Sequence, residues 1–165
     1  MTEEFVKDLL GRYSASKGRA SRLAAEIEKL EAEARQLRAL EADTLKATSL
    51  DGMPRRKGGK SDPTGKKGTQ LADGAALSRE EARITEKISA KKADLSQLRL
   101  DISLVEGWLA ALMDREKLIV MQQMVQKRSW RETAAEYARA FGDEMSEDTL
   151  RRIRDRTVTF IARQM

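Results

Sequence analysis

The stretch of sequence closest to a catalytic motif is Gly59-Lys60-Ser61, inside a glycine- and lysine-rich run. A phosphate-binding loop requires a glycine, four further residues and then Gly-Lys-Ser or Gly-Lys-Thr, directly after a β-strand. Pro54 occupies the position of the first glycine, and the residues before the run have a helical pattern. The sequence therefore does not predict a nucleotide-binding loop.

The composition excludes the commonest catalytic groups. The chain has no histidine and no cysteine, so it lacks the usual general base near neutral pH and any thiolate or disulfide. Carboxylate or Ser-Lys catalysis stays open, but no motif indicates it. We expect a protein that is not an enzyme and that uses no cofactor or metal ion.

The side chains best suited to bind a ligand lie in the arginine-rich segment 147–163. The apolar face of this segment consists of Leu150, Ile153, Thr157, Phe160 and Ile161. On a helix of about 100° per residue, the side opposite Leu150, Ile153 and Thr157 carries arginines and aspartates. Arginine can donate to O6 and N7 of guanine, and a carboxylate can accept from N4 of cytosine. The same charges would also suit a solvated face with internal Arg–Asp pairs. The face holds Asp148, Arg151, Arg152 and Asp155, flanked by Arg154 and Arg156.

Two shorter helices are expected to position this segment. Leu118, Ile119, Met121 and Val125 mark a first helix that ends at Lys127-Arg128. A second helix follows. Individual residues indicate where it begins and where it crosses a neighbouring helix. Ser129 and Glu132 form a capping box, Trp130 is an apolar anchor, and Ala134 permits a close helix crossing; Ser146 can cap the last helix.

The rest of the chain has the composition of long helices. Charged residues make up 36% of the chain and aromatic residues only 4%, which disfavours a compact mixed fold. Two runs have residues at alternating spacings of three and four that are apolar at every position except Lys91, which is the pattern of a coiled-coil seam. The first run is Leu23, Ile27, Leu30, Ala34 and Leu37, and the second is Ile84, Ile88, Lys91, Leu95, Leu98, Ile102, Val105, Leu109 and Leu112.

We predict an all-α protein in two parts. Residues 1–112 form a long antiparallel helical hairpin, and residues 113–165 form a helix-turn-helix bundle. The heptads could also pair between chains, giving a homo-oligomer. A short opening helix with apolar residues Phe5, Val6, Leu9, Leu10 and Tyr13 would cover the end near Leu109 and Leu112, after a break around 14–18 caused by Gly11 and Gly18.

The two arms are joined by a loop over about 48–70, which we expect to be mobile and basic. It contains both prolines and five of the ten glycines, and such a stretch buries too little apolar surface to become ordered. The following helix is expected to start at Ser78, which with Glu81 forms a capping box. Possible phosphate contacts in the loop are Arg55, Arg56, Lys57 and Lys60.

The segments "RSWRETAAEYA" and "MSEDTLRRIRDRTV" resemble the C-terminal helix-turn-helix of sigma factors, their fourth conserved region. Together with "SLDGMPRRKGGKSDPT", they are similar to small phage transcription regulators of the ArpU and RinA type. The resemblance implies binding to promoter DNA and action on phage late genes. Thr133 departs from it, because those proteins have a larger aliphatic residue there, and so does the longer interval from Ser129 to Ser146.

Our leading hypothesis is therefore a phage or prophage sequence-specific transcription regulator of the late-gene activator type, in the bacterial host cytoplasm. Its partner would be double-stranded promoter DNA, with bacterial RNA polymerase as a further candidate. The net charge of +5 fits an anionic partner. Helix 147–163 would enter the major groove. The expected DNA contacts are Lys127, Arg128, Arg131, Ser146, Asp148, Thr149, Arg151, Arg152, Arg154, Asp155 and Arg156.

Two other functions fit the same features. One is a coiled-coil structural or adaptor protein, and the other is a small terminase subunit that binds packaging-site DNA. No window approaches the 18 or so uninterrupted apolar residues of a membrane span, so we expect no membrane association.

Overall fold

The computed structural model describes residues 2–49 and 63–164, with side chains described within 2–42 and 74–164. Every regular element in these ranges is helical, which confirms the predicted all-α class. Alanine, leucine, glutamate, lysine and arginine dominate the chain, and these residues have the highest helix propensities. In chain order the elements are α1 (Glu3–Ser49), α2 (Pro63–Ala111), α3 (Asp114–Val120), a π-helical turn (Met121–Val125), α4 (Trp130–Phe141) and α5 (Glu147–Arg163).

Helices α1 and α2 pair as an antiparallel hairpin, as the heptad patterns predict. Tyr13, early in α1, donates a hydrogen bond to Glu106, late in α2. Arg38, late in α1, forms an ion pair with Glu81, which is earlier in α2. The residue numbers of the paired positions run in opposite directions, so the two helices are antiparallel.

The chain divides into two compact units, of which one comprises Arg22–Leu95. Its core is the predicted seam, with Leu23, Ile27, Ala34, Ile84 and Leu95 buried. Ion pairs flank the seam. The Nζ atom of Lys91, the one polar seam residue, lies 2.5 Å from an oxygen of Glu26, and Lys92 lies 2.7 Å from Glu31. Each lysine holds the pKa of its glutamate below the ordinary value.

The other unit comprises Met1–Ser21 and Ser96–Met165. Its main core joins residues from the start of α1, the end of α2, the end of α3 and the second half of α5. The buried members are Val6, Leu9, Leu10, Tyr13, Val105, Trp108, Leu109, Leu112, Val120, Val158, Ile161 and Ala162. The start of α1 therefore covers Leu109 and Leu112, as expected. Phe5 does not take part in this way, since 42% of its surface is exposed.

Hydrogen bonds connect α1 to α2 and to α5 beside this core. Glu106 accepts hydrogen bonds from the Tyr13 hydroxyl at 3.0 Å and from the Lys17 amine at 3.2 Å. These donors lower the pKa of Glu106, and the carboxylate raises the pKa of Lys17. The Thr159 hydroxyl of α5 donates to Glu3 of α1 at 2.7 Å.

The predicted break around 14–18 is wrong, because α1 runs from Glu3 to Ser49 without interruption. Gly11 and Gly18 lie inside the helix. An interior glycine costs a helix about 0.5–1 kcal/mol relative to alanine, and the core contacts of Val6 and Tyr13 on the same helix are sufficient to offset this cost.

The start of the second arm is also corrected. Helix α1 ends at Ser49 and α2 begins at Pro63, so residues 48–49 and 63–70 of the predicted loop are helical. Ser78 lies inside α2 rather than at its cap. Proline is favoured in the first turn of a helix. The remainder of the predicted basic loop, including Arg55, Arg56, Lys57 and Lys60, lies outside the described residues. Within the described ranges, no helix is both long and apolar enough to cross a bilayer.

We expect Lys91→Leu to stabilise the hairpin by about 1 kcal/mol, because it replaces a half-buried seam lysine with a residue that suits the seam. Guanidinium unfolding followed by circular dichroism measures the change. Lys92→Leu is the matched control, since Lys92 has an equivalent ion pair with Glu31 but lies outside the seam. An equal effect of the two substitutions would contradict the assigned seam.

Candidate nucleic-acid interface

Helix α4 begins with the capping box that the sequence predicts. The Ser129 hydroxyl accepts from the Glu132 amide at 3.3 Å, and the Ser129 amide donates to the Glu132 carboxylate at 2.9 Å. The hydroxyl also donates to that carboxylate at 2.7 Å. These hydrogen bonds hold the pKa of Glu132 below its ordinary value. The box sets the start of α4 and therefore the position of Trp130.

The turn that leads into α4 is tight and held by a glutamine. Lys127 has φ of 55°, the left-handed conformation, which reverses the chain after the π-helical turn. The Gln123 side chain donates to the Arg128 carbonyl at 3.0 Å and to the Thr133 hydroxyl at 2.6 Å. Thr133 is fully buried and donates in turn to the Ser129 carbonyl at 2.9 Å. The Thr133 hydroxyl thus links the turn to α4, which an aliphatic side chain could not do.

Helices α3, α4 and α5 share a small core of their own. It is built on one buried residue from each helix, namely Ile119, Tyr137 and Leu150. Trp130 and Ala134 pack against it and are half-buried. The predicted roles of Trp130 as an apolar anchor and of Ala134 at the helix contact agree with this packing.

The connection between α4 and α5 spans residues 142–146 and is extended compared with a tight turn. Gly142 has φ of 72° and caps α4 in the left-handed conformation, which glycine adopts at no steric cost. Arg115 of α3 binds Asp143 at 2.8 Å and lies over the Phe141 ring. Met145 packs against the three-helix core. The additional length of this connection is therefore fixed by contacts with α3 and with the core.

Helix α5 begins at the predicted residue. The Ser146 hydroxyl accepts from the Thr149 amide at 3.3 Å, and the two hydroxyls lie 2.9 Å apart. The helix runs over Glu147–Arg163, in agreement with the predicted segment. Ser146 and Thr149, both expected to contact DNA, are exposed at its N-terminal end.

The buried side of α5 is wider than the sequence predicted. Val158 and Ala162 are buried in addition to the expected Leu150, Thr157 and Ile161, whereas Phe160, which was also expected on this side, is 47% exposed. At about 100° per residue, these additional residues turn the centre of the buried side toward Arg154, whose side chain is only 29% exposed. Arg152 then lies opposite the buried side, at the centre of the exposed face. Asp148, Thr149, Asp155 and Arg156 surround it and are all exposed.

Trp130 links α4 to two arginines of α5. The guanidinium carbons of Arg151 and Arg154 lie 5.3 Å and 5.0 Å from the centre of the indole ring, within the range of cation–π attraction. The same arginines pair with carboxylates. Arg151 contacts Glu147 at 3.4 Å and Asp148 at 3.3 Å, and Arg154 contacts Asp155 at 2.6 Å. Both arginines are therefore held in defined positions.

The remaining predicted cations are different, because they have no carboxylate within ion-pair distance in the part of the chain that the structure describes. They are Lys127, Arg128, Arg131, Arg152 and Arg156, all of which are exposed. The predicted contacts thus fall into two groups, of which one is held by Trp130 and carboxylates and the other is free to meet an anion. The free group is divided between the start of α4 and the exposed face of α5.

Sequence reasoning missed three residues that shape this surface. Gln123 and Arg115 fix the two turns, and Val158 helps to set the rotation of α5. Neither polar residue belongs to a motif, so the sequence contains no signal for its role. The sequence pattern extended the buried side to Ile161, but it did not include Val158 or Ala162. Comparison of the chain with protein-family models, with curated proteins and with solved structures finds no match.

The capping box predicts a specific loss of stability in acid. The pKa of Glu132 is lowered in the folded protein from an ordinary value of 4.5, so its stabilising effect is complete above pH 4.5 and is lost as the pH falls through the lowered pKa. Unfolding free energies measured from neutral to acidic pH should decrease more in the wild type than in Glu132→Gln. Ser129→Ala should cost about 1 kcal/mol at neutral pH. Parallel pH profiles for wild type and Glu132→Gln would contradict this role.

The left-handed turn makes a second prediction. Lys127→Gly should stabilise the folded protein by up to about 1 kcal/mol, because glycine avoids the strain of the left-handed conformation despite its greater chain entropy. Lys127→Ala removes the same charge but retains the strain, and should give no such gain. Thermal unfolding of the two variants compares them directly. A gain in both variants would mean that the charge, and not the backbone conformation, is responsible.

Proposed function

We propose that this protein is a sequence-specific DNA-binding transcription regulator whose helix α5 reads bases in the major groove. The observation that carries the proposal is the position of Arg152. It lies at the centre of the exposed face of α5 without an ion-pair partner among the described residues, and the opposite face is buried in the protein. A regulator acting on phage or prophage late genes is the type that the sequence resemblance favours.

The dimensions of α5 suit this role. Its 17 residues span about 25 Å at 1.5 Å per residue, and a helix fits the major groove, which is about 12 Å wide. The residues around Arg152 offer both donors and acceptors, since Asp148 and Asp155 are exposed on the same face. A guanidinium can bind guanine and a carboxylate can accept from cytosine, so the face can discriminate between base pairs.

The start of α4 would supply phosphate contacts. Arg128 and Arg131 are exposed and have no ion pair among the described residues. The contact of Trp130 with Arg151 brings the start of α4 beside the first half of α5. Cations at that place can bind the DNA backbone next to the groove that α5 occupies. Such contacts add affinity that decreases with salt but read no sequence.

Arg151 and Arg154 would have a different role. Their ion pairs and the Trp130 ring restrict their motion, so less conformational entropy would be lost on binding. The Arg151 side chain is 46% exposed and remains accessible to a base. The Arg154 side chain is 29% exposed and mainly packs against Trp130. We therefore assign base reading to Arg152 and Arg151, and a positioning role to Arg154.

The alternative to a DNA-binding regulator is an adaptor protein, and one observation favours it. The ion pairs of Arg151 and Arg154 with their helix neighbours are also what a solvated face would have. An adaptor predicts no retention of duplex DNA at moderate salt. A small terminase subunit predicts DNA binding by a ring of many copies, which light scattering would detect.

The test is a titration of labelled phage promoter fragments and random duplex at two salt concentrations. We expect a preference of about a thousandfold or more for one fragment, and we expect Arg152→Ala to remove about 1–3 kcal/mol of that preference. Arg99→Ala is the matched control, because Arg99 is an exposed arginine of α2 and its loss changes the net charge equally. Weak binding that is equal for all sequences and lost with salt would overturn the proposal.

The substitution Trp130→Leu tests whether the Trp130 ring orients Arg151 and Arg154, and it leaves the charge of the protein unchanged. Leucine retains apolar contact with the three-helix core but removes the ring that holds Arg151 and Arg154. We expect about tenfold lower preference for the chosen site, since cation–π contacts contribute about 0.5–2 kcal/mol, with an unchanged salt dependence. A change in the salt dependence alone would contradict a positioning role for Trp130.

A further inference from the structure

The last third of α2 carries a second apolar stripe, on a different side from the buried seam. Leu100, Leu104, Gly107 and Ala111 are spaced by four, three and four residues, the alternation of helices that pair side by side. Leu100 is 64% exposed, and Gly107 and Ala111 are exposed as well. This stripe has the pattern of a helix-pairing surface, and its own chain leaves it largely uncovered.

The stripe forms one wall of a groove of about 570 Å³. The opposite wall is the end of α5, with Phe160, Ile161 and Gln164. Leu100 and Phe160, which is 47% exposed, are large apolar side chains at this hollow. The surface therefore combines protruding apolar groups with a cavity that can accept such groups.

A buried donor in the groove lacks an acceptor. Trp108 lines the groove and is only 6% exposed, and its indole Nε1 has no hydrogen-bond partner among the described residues. A buried donor left unsatisfied costs about 1–3 kcal/mol. The Nε1 atom is itself buried, so an acceptor brought by an occupant would reach it only if side chains of the groove moved.

We propose that the occupant is a second copy of this chain, which docks on the same groove about a two-fold axis. In such a dimer both copies use the same patch, so charged residues near the axis would face their own equivalents. None of the residues that line this groove is charged, although 36% of the whole chain is. The patch therefore avoids like-charge repulsion between two molecules that each carry a net charge of +5.

Each copy also has polar and apolar side chains that can bind in the groove of the other copy. Ser103 and Gln164 line it and have side-chain polar atoms that can hydrogen-bond to one another between the two copies. Leu100 of one copy can enter the hollow of the other in the manner of a knob in a hole. Gly107 and Ala111 have little or no side chain, which permits the close approach of a second helix.

Sedimentation equilibrium of the full chain without DNA tests the proposal. We expect the wild type to dimerise over the micromolar range and Leu100→Glu to raise the dimer Kd about tenfold or more, because a buried leucine is replaced by a charge. Met113→Glu is the control. It introduces the same charge at a 76% exposed residue that does not line the groove, and it should leave the dimer Kd unchanged.

Gly107→Gln is a second, uncharged variant. A Cβ atom at Gly107 meets no other atom within 4 Å, and glutamine favours the helix more than glycine does. The monomer should therefore keep its helix content by circular dichroism while the longer side chain obstructs the partner. A wild type that stays monomeric throughout, or a dimer Kd unchanged in both groove variants, would overturn the proposal. The outcome does not depend on DNA binding, because no DNA is present.

Discussion

The rotation of α5 about its own axis is the constraint on which the candidate interface depends. Val158, Ile161 and Ala162 are buried with the end of α2 and the start of α1, while Leu150 belongs to the small core with α3 and α4. These two cores hold the helix at both ends. A helix anchored on one side must present the other side to solvent, and this places Arg152 outward and Arg154 against Trp130.

Polar contacts act together with packing against the small core to define the turns around that helix. Gln123 and Thr133 fasten the entry to α4, and Arg115 fastens the connection that follows it. These contacts connect the turn before α4, which includes the left-handed Lys127, and the extended connection over 142–146 to the helices on either side.

The arginines of α5 differ in their contacts, and the sequence alone does not show this difference. Its arginines are equivalent in sequence, yet Arg151 and Arg154 have carboxylate and aromatic partners while Arg152 and Arg156 have none among the described residues. The proposal of DNA binding uses both groups, since held cations favour discrimination and free cations favour attraction to phosphates. A sequence can indicate the number of arginines on a helix, but their partners depend on the neighbouring helix.

The amino-acid sequence alone determined the all-α class, the antiparallel hairpin seams, the Ser129 and Ser146 caps and the limits of α5, because these follow from local propensity and from periodic apolar residues. It did not predict that Gly11 and Gly18 remain within α1 or that α2 begins at Pro63, since helix packing can outweigh the local cost of a break. The exposed face of α5, its contact with Trp130 and the uncovered groove beside Leu100 were decided only by the tertiary structure. Each of these depends on side chains from helices far apart in the chain, and the sequence pattern of a single helix contains no information about which neighbour will cover it.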